Sequence, residues 1–200
     1  MEQYMKVLKS FRRMKPKLEN VIREIVKPVR APVGTLIQEL AANSGHIYFI
    51  EKGVAVGYFS GGRTNRINYF KKENDFIIVQ KDKEEDDKGP SIVFEAIEDM
   101  ILWDFPDEQF EPLFREILEL NFYYRIIFEK CLFANEQFRH LESELASEKL
   151  NFLKSQYRGL LDRVPPKYLA SFVGVSQKVF KHMKDSSISL PLSGKHLSVR

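Results

Sequence analysis

A single cysteine, Cys131, is the whole thiol complement of this 200-residue chain. No intrachain disulfide can form, and a thiolate-held metal or iron–sulfur cluster within one chain is excluded. Long apolar runs are missing as well. Charge interrupts every hydrophobic stretch, so no segment is expected to span a bilayer. The N-terminal MEQYMKVLKSFRRMK is basic but has no uninterrupted apolar core of the kind a secretory signal needs. The expectation is a cytoplasmic protein with no membrane partner.

Catalytic vocabulary is equally thin. His46, His140, His182 and His196 are scattered, none beside a Ser or Cys elbow or a ligand-spaced partner. His140 and Glu144 stand four apart, a spacing that suits a surface ion-pair face better than a metal. The acidic run EEDD at 84–87 lacks the spacing and the glycine of a calcium loop. No GxxxxGK phosphate cradle occurs. No enzyme, cofactor or metal is expected.

What the chain does have is enough apolar content, 44% against 30% charged, to bury a core in one large domain or two small ones. It also has a charge asymmetry. Residues 1–150 carry 22 Lys/Arg and 26 Asp/Glu, whereas 151–200 carry 9 Lys/Arg and only Asp162 and Asp185 as acids. A basic C-terminal quarter points to an anionic partner for that quarter.

Two short helices are predicted over 2–25, with Pro16 in the first turn of the second and Leu18, Val21, Ile22 and Ile25 on one face. From Pro28 to about Phe105 the signals change to strands and turns. GTLIQEL follows a Pro-Val-Gly turn, HIYFIEKGVAVGYFS hinges at Lys52-Gly53, and NRINYFKKENDFIIV continues the pattern. After the charged loop KDKEEDDKGP, SIVFEAI and MILWDF meet at Glu98-Asp99. Short strands at regular spacing predict a closed or nearly closed antiparallel barrel.

After Pro106 a helix of roughly forty residues is predicted, with Pro112 a candidate break. Leu113, Ile117, Leu120, Tyr124, Ile127, Cys131, Ala134, Phe138, Leu141 and Leu145 advance in steps of four and three. That is a heptad seam, and it predicts a parallel homodimer through Leu120, Tyr124, Ile127, Cys131 and Phe138. The alternative is a helix packed on its own barrel, since Phe114, Leu118, Phe122, Phe128 and Leu132 make other faces apolar too. Ser147 is the predicted cap of the next helix, which would run to Pro165-Pro166, with a domain hinge near Ala146.

YLASFVGVSQKVFKHMK, residues 168–184, carries the sharpest pattern. With Pro166 as the first residue of a helix-turn-helix, Leu169, Val173, Val175, Phe180 and Met183 fall where side chains must point between the helices. Ala170 falls at the close approach, and Gly174 in the turn that needs positive φ. Ser176 can cap the second helix, and its amides would suit a phosphate. The exposed face then offers Gln177, Lys178, Lys181 and His182 to double-stranded DNA. ISLPLSGKHLSVR reads as two short strands about Ser193-Gly194, a wing that would bring Lys195 to the DNA backbone.

Barrel, long helix and winged helix-turn-helix in this order resemble the bacterial cyclic-AMP receptor protein and fumarate–nitrate regulator (Crp/Fnr) family of transcription factors. VPPKYLASFVGVSQKVFKHMK carries the resemblance most specifically, with LIQELAANSGHIYFIEKGVAVGYF, ENDF and FEAIED in support. The resemblance implies an α+β fold: an antiparallel β-roll resembling a cyclic-nucleotide-binding barrel, a long dimerisation helix, and a C-terminal winged helix-turn-helix. Residues 1–108 would form the sensor barrel, 109–145 the dimerisation helix and 147–200 the DNA-binding domain. It further implies a homodimer on a near-palindromic operator, with a small-molecule effector in the barrel.

Two departures qualify what is implied. The family's Gly-Glu pair for the ribose matches Asn74-Asp75, and its Arg-Ser pair for the cyclic phosphate matches Pro90-Ser91. Asn74, Asp75 and Ser91 are therefore the candidate ligand residues, but the guanidinium is gone. A phosphate without it loses a bidentate pair of about 1.5–3 kcal/mol, so cyclic AMP is not the expected ligand. In the second helix, Lys178 and His182 stand where many relatives carry base-reading Glu and Arg. The alternative reading is a ligand-binding or protein-interaction module whose DNA-reading surface has decayed.

Overall fold

The computed structural model of the chain describes residues 1–41, 45–60, 65–79 and 92–186. They form two compact units, Met1–Glu142 and Ser143–Arg200.

The first unit opens with helices α1 (Glu2–Phe11) and α2 (Pro16–Ile25). Pro16 occupies the first helical position, where its missing N–H costs nothing. Tyr4, Met5 and Leu8 of α1 and Leu18 and Ile22 of α2 are buried, while Arg23 ties α2 to α1 through Glu2 at 2.7 Å.

Seven strands follow among the described residues: β1 (Lys27–Ala31), β2 (His46–Lys52), β3 (Ala55–Phe59), β4 (Ile67–Lys71), β5 (Phe76–Val79), β6 (Ile92–Ala96) and β7 (Met100–Pro106). They pair antiparallel in two sheets, β1-β7-β2-β5 and β4-β3-β6. Gly53 makes the turn between β2 and β3 at φ +102°, where a Cβ would come within 2.7 Å of the Met100 side chain. GTLIQEL is not a strand, as its place among the β signals suggested. It forms a 3-10 turn over Ile37–Leu40. Gln38 is the reason: its side-chain amide donates to the Ile92 carbonyl and accepts from the Phe94 N–H, doing at the edge of β6 what a strand backbone would do.

The forty-residue helix is broken. α3 (Asp107–Phe110) and α4 (Leu113–Glu116) precede α5 (Leu118–His140), with interruptions at Pro112 and at Ile117, whose φ −122° and ψ 80° leave the helical region. Leu141 and Leu145 lie beyond the end of α5. Leu120, Ile127, Cys131 and Phe138 are buried within their own unit. The first three share a core with Phe49, Phe76 and Phe105, and the Phe138 ring lies 5.8 Å from that of Tyr69. Tyr124 is half-buried between Phe114 and Phe128, at 5.1 and 4.8 Å. These residues do share a face, but the barrel already covers it.

The second unit has α6 (Ala146–Gln156), α7 (Leu160–Arg163), α8 (Pro166–Val173) and α9 (Gln177–Ser186). Ser147 is inside α6 rather than its cap; the Glu148 carboxylate accepts the Leu145 N–H at 3.0 Å and closes that end. α6 also stops at Gln156, well short of the proline pair. Leu150, Leu153, Leu160, Val164, Leu169 and Phe172 fill the core. Among the described residues no helix is long and apolar enough to cross a membrane.

Candidate functional site

Two places concentrate the residues singled out in the sequence. The first is the α8–α9 pair. Gly174 follows α8 at φ 84° and ψ 32°, the left-handed conformation that a non-glycine residue adopts only with strain. Its N–H and that of Val175 both return to the Ala170 carbonyl, at 2.9 and 3.0 Å, which satisfies the helix end while the chain reverses. Ser176 Oγ accepts the Val179 N–H at 3.3 Å and caps α9. Leu169, Ala170, Val173 and Phe180 are buried; Val175 and Met183 are half-buried.

This packing leaves one face of α9 outward. Gln177, Lys178, Lys181 and His182 are all exposed, as is Ser176 at the N-terminal end. At 100° per residue Gln177, Lys181 and Lys178 span about 100° of the helix, and His182 lies about 40° beyond. Lys184 is directed elsewhere, donating to the Leu161 carbonyl at 2.9 Å and to Asp162 at 3.3 Å. Lys195 and the turn at Ser193-Gly194 lie outside the described residues.

The second place is a cavity of about 470 Å³ in the first unit, lined among others by Lys71, Asn74, Asp75, Phe76, Ile126 and Cys131. Asn74 is exposed at φ 71°, and its side chain accepts from Gln3 at 3.0 Å. Asp75 uses one carboxylate oxygen to hold the Lys72 N–H at 2.9 Å. Burial pushes its carboxyl above the usual aspartate value, against the lowering effect of that hydrogen bond and of Lys71. Burial also raises the Cys131 thiol to about 11, so it stays protonated and donates to the Phe76 carbonyl at 3.5 Å. Ser91, the third candidate ligand residue, lies outside the described residues together with Pro90.

Sequence reasoning passed over Lys71, a lysine with only 4% of its surface exposed. The signal was present in Ile67, Tyr69 and Lys71, which alternate onto one face of β4 with the lysine in an apolar row. Among the described residues no group of three His, Cys, Asp or Glu side chains is placed to hold a metal ion.

No family model and no curated protein matches the chain. Solved structures do. FixK2 from Bradyrhizobium japonicum matches with a TM-score of 0.61 at 14% identity, over 86% of this chain and 90% of that one. A Eubacterium rectale protein described as a transcriptional regulator of the Crp/Fnr family matches at 0.59 and 12%, over 86% and 83%. CLP of Xanthomonas campestris, a c-di-GMP-responsive global regulator, matches at 0.55 and 13%, over 88% and 92%. The chain has the Crp/Fnr fold. The likeness is one of architecture.

Proposed function

We propose that this protein is a homodimeric, DNA-binding transcription regulator of Crp/Fnr type, not an enzyme. In this reading residues 1–108 sense, 109–145 dimerise and 147–200 bind DNA. The observation that carries it is the outward face of α9. Glycine geometry, a serine cap and an apolar seam hold that helix against α8, and its free side bears cations and amide groups with no carboxylate before Asp185. Gln177 suits bidentate pairing with adenine, Lys178 reaches guanine acceptors or phosphate, and Lys181 suits phosphate. His182 adds a donor at the end of the same face.

The dimer face in this proposal is the outer side of α5. Leu118, Leu132 and Phe133 are 76, 62 and 68% exposed there, on the side of α5 opposite its buried stripe. A shift of α5 on the barrel would then respace two recognition helices.

Retention of the purified chain on genomic DNA fragments across a salt series tests the reading. Affinity should fall steeply with salt, since each phosphate neutralised contributes about 0.9 to the logarithmic slope. Salt-independent retention with no enriched sequence would instead favour a module that no longer reads DNA.

A further inference from the structure

Among the polar side chains of α9 stands an exposed valine. Val179 is 47% exposed, and among the described residues of the second unit Leu145, just before α6, is the only other large apolar side chain left open. The backbone of Val179 is held in place. Its N–H donates to Ser176 Oγ at 3.3 Å, and the next residue, Phe180, is buried. A β-branched side chain on a helix is stiff at χ1, so its methyl groups point one way and lose little freedom on contact. At 100° per residue Val179 lies about 60° beyond His182. It borders the outward face on one side as Gln177 does on the other, each about 100° from Lys178. Gln177, Lys178 and Val179 are the first three residues of α9. In a recognition helix, the N-terminal residues are those that meet base edges.

A valine has nothing to offer a phosphate, a donor or an acceptor. Set against a polar base edge, it would strip water from groups it cannot pair. The major groove displays one apolar group, the C5-methyl of thymine. We propose that Val179 is a specificity-determining residue that packs on the C5-methyl of a thymine in each half-site. Gln177 suits adenine, so the two borders of the face would together favour A·T pairs. This inference rests on reading α9 as the recognition helix, and it adds the base that one border of that helix selects.

The test takes the duplex that the full chain binds most tightly from a random pool. It is compared with copies in which deoxyuridine, which lacks only the methyl, replaces thymidine at one position per half-site. At one such position binding should weaken about fourfold per half-site, the factor that burying one methyl is worth. Val179→Ser should weaken binding to the thymidine duplex by a similar factor and bind both duplexes alike, with the salt slope unchanged because no phosphate contact is lost. Val179→Thr, which keeps one methyl, should retain the preference for thymidine. Val179→Ser should also melt within a few degrees of the parent, as substitutions at exposed positions do. The proposal is overturned if no deoxyuridine position weakens binding, or if Val179→Ser keeps the parent's preference. Unfolding by Val179→Ser would overturn it too, by making the valine structural. In each of these cases salt-dependent binding by the parent leaves the regulator reading standing. A pool that yields no enriched sequence and no salt-dependent retention would instead remove that reading, and this inference with it.

Discussion

At the scale of single residues, the strongest constraints come from groups held where chemistry resists them. Gly174 is one, at φ 84° between α8 and α9. Gly174→Ala must place a side chain in the left-handed region and should cost about 1–2 kcal/mol, read as a lower melting temperature of the second unit. The DNA salt slope should not change, because every lysine that faces phosphate is still there. Asp107 is another. Burial holds its carboxyl above the ordinary value, opposed by the charge of His46 and by the Tyr124 hydroxyl, which donates to it at 3.5 Å. The folded chain therefore binds this proton more tightly than the unfolded one. Stability falls as pH rises from the ordinary aspartate value through the raised one, and the deficit persists at neutral pH. Asp107→Asn keeps an acceptor for Tyr124 and removes the titration. Its melting temperature should exceed the parent's at pH 7, with the gap narrowing toward about pH 4. A gap that does not change with pH would mean that charge is not the cause.

At the scale of elements, α5 shows what periodicity tells and what it omits. Steps of three and four identified Leu120, Ile127, Cys131 and Phe138 as one face. The same spacing describes a coiled-coil seam and a helix laid on a barrel, because both need a stripe recurring each turn. What covers the stripe depends on β4 and β5, which meet α5 from far away in sequence. The tight turn at Gly174 was legible for the opposite reason, since every requirement it meets is local. Lys71 was missed because a lysine in a strand ordinarily reads as solvent-facing, and its burial follows from Ala55 and Ala96 on neighbouring strands. Paired substitutions on α5 separate its two faces. Ile127→Ala should destabilise the first unit by about 2–5 kcal/mol in chemical denaturation. Leu132→Asp, on the exposed side, should leave that stability within about 0.5 kcal/mol while light scattering shows a shift from dimer to monomer. A dimer mass retained by Leu132→Asp would move the self-association surface off the outer face of α5.

For the whole molecule, charge and symmetry jointly determine what the DNA must look like. The basic quarter of the chain lies in the second unit, and a two-fold dimer would present it twice. Two copies of α9 entering successive major grooves on one side of the duplex need half-sites centred about one helical turn apart, ~34 Å or 10–10.5 base pairs. Selection from random duplexes by purified dimer should return inverted repeats with that spacing. The two kinds of interaction on α9 then separate cleanly. Lys181→Ala should weaken binding to every sequence alike and reduce the salt slope by about one for each phosphate left without its cation. Gln177→Ala should leave the slope unchanged and relax the preference at one base pair in each half-site, at a cost of roughly 1–3 kcal/mol there. Direct repeats would relate the two helices by translation along the duplex, and a spacing of half a turn would put them on its opposite sides. Either result would exclude a two-fold dimer as the DNA-bound form while leaving α9 as the reading element.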